Sequence, residues 1–185
     1  MGTGRALVAA AVVAAALAGC GGGDEEKTSD LPKAPDTIEL STPDFKDGGA
    51  IPAALTCDGE GKAPTLVWRA VPPGAVELVL VVEDPDAKNG TFTHWTEWGI
   101  AGFTGSGLAA HGEFPAGAKQ GENSAGKLGW APPCPPKGDD AHRYTFTLYA
   151  LPEGVALEPG ATPEEVRAMI KNPLGLGNFT GTYKR

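Results

Sequence analysis

Glu77-Leu78-Val79-Leu80-Val81-Val82-Glu83-Asp84-Pro85-Asp86-Ala87 is the stretch that decides the fold. Its aliphatic centre has the length of one strand and stops at an Asp-Pro-Asp turn signal. A continuous apolar run of that length predicts a strand in mid-sheet, covered on both faces. Working outward, further short segments rich in β-branched and aromatic residues fall at 37–40, 66–69, 93–100, 143–151 and 178–183. Thr145-Phe146-Thr147-Leu148-Tyr149 alternates, which predicts one wetter face. The chain of 185 residues carries 27 Gly and 17 Pro, a density that interrupts helices throughout. One helix is still expected. Thr162 can cap it, Pro163 suits its first position, and Glu165 completes a capping box before a run through Val166, Met169 and Ile170. The prediction is an all-β sandwich with Greek-key links and one or two peripheral helices.

The N-terminus reads as an export signal. Arg5 precedes an apolar run from Ala6 to Ala18, too short for a bilayer span, which needs roughly 20 residues. Leu17-Ala18-Gly19-Cys20 resembles a bacterial lipobox, so residues 1–19 are expected to be a signal peptide and Cys20 to carry lipid. Gly21-Gly22-Gly23, a charged stretch, Pro32 and Pro35 give residues 20–36 the composition of a tether. The domain is expected at 37–185, exported and lipid-anchored to the cell membrane or envelope, facing away from the cytoplasm. Its formal net charge of −8, without a Lys/Arg cluster, argues against nucleic acid and against docking on anionic lipid by charge.

Cys57 lies in the turn Thr56-Cys57-Asp58-Gly59, and Cys134 in a Pro-rich loop. Export permits a disulfide between them, which is expected, with two free thiols as the alternative. The remaining chemistry gathers in two segments. Asp84-Pro85-Asp86 is followed by Thr93-His94-Trp95, and Pro132-Pro133-Cys134-Pro135-Pro136 by His142-Arg143-Tyr144. Two carboxylates and two histidines at strand ends can converge on one rim of a sandwich. Pro85 stiffens the carboxylate pair, and the proline loop offers a wall that loses little entropy on binding.

The order of these blocks, with Val71-Pro72-Pro73-Gly74 before them and Gly181-Thr182-Tyr183-Lys184-Arg185 after, resembles the phosphatidylethanolamine-binding protein family in its bacterial Raf kinase inhibitor-like branch. The resemblance covers about residues 37 to 185. It implies a large antiparallel sheet packed on a smaller one, with a small anion pocket at one end. Carried over, that pocket holds Asp84, Asp86, His94, the Pro133-Cys134-Pro135 wall, His142 and Tyr144. The implied partner is a small anion or phospholipid headgroup, with the membrane reached through the N-terminal lipid. Ring N–H groups of His94 and His142 and the Tyr144 hydroxyl are expected to face the anion, with Asp84 and Asp86 orienting a histidine, accepting from an ammonium group or sharing a proton. Three positions depart from the family pattern. Lys88 stands where a proline commonly follows, Pro132 replaces a usual glycine, and Glu97 interrupts an apolar strand, which predicts a side chain facing solvent or a basic partner. A binding module is the expected function, with a protein inhibitor and a weak Asp/His hydrolase as alternatives. No enzyme activity and no cofactor are expected. The spacing of Asp84, Asp86, His94 and His142 fits no standard zinc pattern, so no metal is expected.

Overall fold

A computed structural model describes residues 1–2, 31–102 and 105–185. The apolar run of the signal sequence, Cys20 and the tether before Leu31 lie outside the described residues. Among the described residues eight strands form, in chain order, β1 (Glu39–Ser41), β2 (Leu66–Arg69), β3 (Glu77–Asp84), β4 (Phe92–Ala101), β5 (Gly107–Ala109), β6 (Lys119–Gln120), β7 (His142–Leu151) and β8 (Gly175–Tyr183). Among the same residues one α-helix, α1, spans Pro163–Met169 and precedes β8. The large antiparallel sheet runs β6-β4-β3-β7-β8, and the small one runs β1-β2-β5. The all-β, two-sheet expectation holds. The strands β5 and β6, of three and two residues, were not foreseen.

The aliphatic run of β3 occupies the centre of the large sheet, and Leu78 to Val82 are fully buried. Alternation sends them into two different cores. Leu78, Leu80 and Val82 pack between the sheets with Trp68, Trp95, Phe146 and Phe179, whereas Val79 and Val81 face the outer side with Trp98, Tyr149, Val166 and Ile170. Burying each such aliphatic chain contributes about 1.5–3 kcal/mol. The helix belongs to the outer layer. Thr162 Oγ1 accepts from Glu165 N at 3.3 Å, and Thr162 N donates to Glu165 Oε2 at 2.8 Å, the reciprocal cap foreseen from the sequence.

That outer layer overturns the expectation for β7. Thr147 pairs with Val81 on the outer face and is buried, and Tyr149 beside Val79 is buried too. Only Arg143 and Thr145, beyond the reach of α1 and its flanking segments, are partly wet there. Residues 31–36, read as the end of the tether, are held on the body of the fold. Leu31 packs against the outer core, the Tyr149 hydroxyl donates to Pro32 O at 2.9 Å, and Leu176 N donates to Pro35 O at 2.8 Å.

Glu97 also differs from its expectation. It sits opposite Leu80 on β3, so it points into the core between the sheets, and it is 2 % exposed. It meets neither solvent nor a cation; Gln120 Nε2 donates to its Oε1 at 3.1 Å, while Oε2 has no partner among the described residues. Burial pushes its carboxyl up to about 8, against the smaller opposing pull of the Gln120 amide.

Candidate functional site

The β3 strand ends at Asp84, β7 begins at His142, and β4 begins at Phe92, so three strand ends meet at one pole of the large sheet. Asp84 is buried and has both oxygens committed. Its Oδ2 accepts from His142 Nδ1 at 2.7 Å, and its Oδ1 accepts from Asp86 N at 2.8 Å. Asp86 turns the other way. Its carboxylate takes the Arg143 guanidinium through Nε and Nη2, both at 2.9 Å, and the Arg143 backbone N at 2.9 Å. The Arg143 hydrogen bonds hold the Asp86 carboxyl below the usual carboxylate range. It therefore clamps the β3–β4 turn to β7.

His94 is placed by a bulge. Val82 pairs with Trp95 and Glu83 with Thr93, which leaves His94 as the extra residue on β4. Bulges re-aim side chains beside functional sites, and this one puts the imidazole among Phe92, Trp130 and Tyr144. The His94 Nδ1–H donates to Ala131 O at 2.7 Å, and Ala131 N donates back to His94 O at 2.8 Å. The pair pins the proline loop to β4. Burial pushes the His94 ring below its ordinary value, more than the Ala131 carbonyl and the Asp84 charge raise it.

These residues enclose a cavity of about 340 Å³. Its lining comprises Asp84, Ala87, Lys88, Asn89, Phe92, His94, Ala131, Pro132, Cys134, Pro135, Pro136, His142 and Tyr144. Six of the eight residues named from the sequence line it. Asp86 and Pro133 do not: Asp86 follows Arg143, and Pro133 is buried behind the wall with its carbonyl accepting from Cys57 N at 3.1 Å. Ala87, Lys88, Asn89, Phe92, Ala131, Pro132 and Pro136 line it too and were not named as site residues. Phe92 carried a usable signal, since its ring lies 4.7 Å from that of His94, two residues along the chain. Tyr144 is fully buried, and its hydroxyl has no partner among the described residues. Burial, and then the charges of Asp84 and Asp86, hold its phenol well above the ordinary value, so it remains a donor.

The wall is stapled by the Cys57–Cys134 disulfide, which joins residues 77 apart. In the chain-entropy model a loop of that size is stabilised by about 4 kcal/mol. Arg185 buttresses the staple: its Nη1 lies 3.3 Å from Cys134 Sγ, and its Nε lies 3.0 Å from Asp58 Oδ2, which also accepts from the Tyr183 hydroxyl at 2.7 Å. Among the described residues there is no group of three or more His, Cys, Asp or Glu placed to hold a metal ion.

With this geometry in place, similarity to known proteins becomes informative. The family model described as phosphatidylethanolamine-binding protein matches residues 41–184. The chain belongs to that family. A Mycobacterium tuberculosis protein named as a lipoprotein, LppC, is 40% identical over 184 residues, covering 91% of this chain and 90% of its own length. A UPF0098 protein from Methanothermobacter thermautotrophicus is 43% identical over 153 residues, covering 80% of this chain and 99% of its own. Among solved structures, the phosphatidylethanolamine-binding protein homologue CT736 from Chlamydia trachomatis superimposes with a TM-score of 0.73 at 34% identity. It covers 81% of this chain and 99% of that one. E. coli YbcL, described as a member of the mammalian PEBP family, gives 0.74 at 26% identity over 80% of this chain and 99% of its own. The two-sheet architecture is thus that of the family.

Proposed function

We propose that the chain is an exported, lipid-anchored binding protein whose cavity takes a small phosphate-bearing anion, free or as a headgroup. The buried Tyr144 hydroxyl carries the reading. A fully buried hydroxyl left without a partner costs about 1–3 kcal/mol, and Tyr144 is one of the residues that line the cavity, so a ligand oxygen there can supply the missing acceptor. His94, His142 and Asp84 supply the polar floor, and the disulfide-stapled proline wall supplies a surface already ordered before binding. Family membership and the lipoprotein name of one relative support the binding and anchoring halves of the reading.

Titration with inorganic phosphate and phosphorylethanolamine, followed calorimetrically, tests it. Tyr144→Phe is expected to weaken both by roughly tenfold, the value of one good hydrogen bond, while its own thermal stability stays equal or rises. Equal affinity in wild type and variant would sink the reading. Detergent-phase partitioning of wild type against Cys20→Ala tests the anchor separately, and an unaltered partition would refute it.

A further inference from the structure

We propose that Lys88 is a movable clasp for the anion: on binding, its ammonium leaves Asp139 and turns into the cavity to pair with the ligand. The proposal rests on the anion reading above and names the residue that answers the ligand's charge. Asp84 is the one carboxylate among the residues lining the cavity, and Lys88 is the one lysine or arginine. An anion brought beside Asp84 is repelled unless a cation comes with it. Lys88 brings that cation whatever protons the two imidazoles hold. Asn89, next along the β3–β4 loop, adds an amide that can donate to the same ligand.

The present partner of Lys88 is placed to be exchanged. Lys88 lines the cavity and also a neighbouring groove where Asp86, Asp139 and Asp140 stand, whereas Asp139 lines the groove alone. The Lys88 Nζ lies 3.1 Å from Asp139 Oδ2, so the ammonium is held on the groove side. The Lys88 side chain is 65 % exposed and that of Asp139 25 %. An ion pair this open to water stabilises little, so breaking it costs little. The other two carboxylates of the groove are engaged elsewhere, Asp86 by Arg143 at 2.9 Å and Asp140 by Lys184 at 3.6 Å.

The cavity side offers the lysine more. There it meets a ligand anion beside Phe92 and the proline wall, where water is scarcer and the attraction less screened. A phosphate group near neutrality carries about 1.5 to 2 negative charges, against the single charge of Asp139. The flexible four-carbon stem lets the ammonium swing by side-chain rotation alone, while Asp86 and Arg143 keep the turn clamped to β7.

The test uses the full chain in mild detergent and isothermal titration, at low and at physiological salt, with inorganic phosphate and with glycerophosphorylethanolamine, a soluble headgroup diester. The tighter of the two in wild type identifies the source of the ligand, free phosphate or lipid headgroup, and the variants are read on it. Lys88→Met keeps most of the stem and removes the charge. Affinity should fall by about fivefold, the scale of one partly exposed ion pair, and added salt should weaken binding less than in wild type. Asp139→Asn releases the clasp in advance and should tighten binding about two- to threefold. In the Lys88→Met background the same Asp139→Asn change should gain far less, because the gain runs through the lysine. Equal affinity in wild type and Lys88→Met would overturn the clasp while leaving the anion site standing, and so would an Asp139→Asn gain of the same size in both backgrounds. Binding of neither ligand to wild type would overturn the anion reading and the clasp with it.

Discussion

Glu83, at the pocket end of β3, and Glu97, in the middle of β4, are each 2 % exposed, yet they live in opposite electrostatic worlds. Glu83 faces the outer layer, where Arg167 of α1 reaches its Oε1 through Nε at 2.9 Å and Nη2 at 2.6 Å. The same Nη2 also donates to Thr93 Oγ1. Glu97 faces the core between the sheets and has one neutral amide for company. Equal burial thus yields a paired carboxylate in one place and, in the other, an acid pushed up to about 8. Depth alone does not decide how a buried acid is met; the partner does.

The largest effect comes from making Glu83 resemble Glu97. Arg167→Ala removes the guanidinium that meets the buried Glu83 side chain and is expected to cost about 3 kcal/mol at neutral pH. Urea unfolding of wild type and variant at neutral pH measures it, and an unchanged midpoint would count against the ion pair as a source of stability. Next is Glu97→Gln, which removes the titration altogether. The folded value of Glu97, about 8, lies above the ordinary 4.5. Its contribution is therefore fully present below pH 4.5 and is lost as pH climbs to about 8. The variant should gain on wild type steadily across that window and by a constant margin above it; parallel stability curves would refute the protonated acid. The smallest effect is Thr93→Val. It removes the second anchor of Arg167 and should cost about 1 kcal/mol by the same urea unfolding; a loss as large as that of Arg167→Ala would overturn this order.

What could be read from the sequence follows the range of the forces involved. The β3 run announced itself because both its faces are dry, and the helix because Thr162, Pro163 and Glu165 act within one turn. The alternation in β7 misled, because residues far along the chain cover the outer face at Thr147 and Tyr149. The strands β5 and β6 are too short to carry a period and exist through their pairing with β2 and β4. The same holds at the site. Asp84, His94, His142 and Tyr144 could be named from their blocks, but the turn of Asp86 toward Arg143 was not legible, because that partner lies 57 residues away. The orientation of each imidazole was likewise hidden, since it depends on Ala131 and Asp84 across the fold.

β8 has a practical meaning of its own. Near its start, Leu176 holds Pro35 and Asp36; just past its end, Arg185 braces Cys134 and Asp58, and its carbonyl accepts from Gly138 N at 3.3 Å. The strand is a ruler of roughly 30 Å between the leading segment and the cavity wall. A fluorophore or purification tag fused after Arg185 would report on the wall and also disturb it. The same label attached at Leu31, beside the outer core and near the start of β8, would stand away from the wall and leave the binding measurement clean.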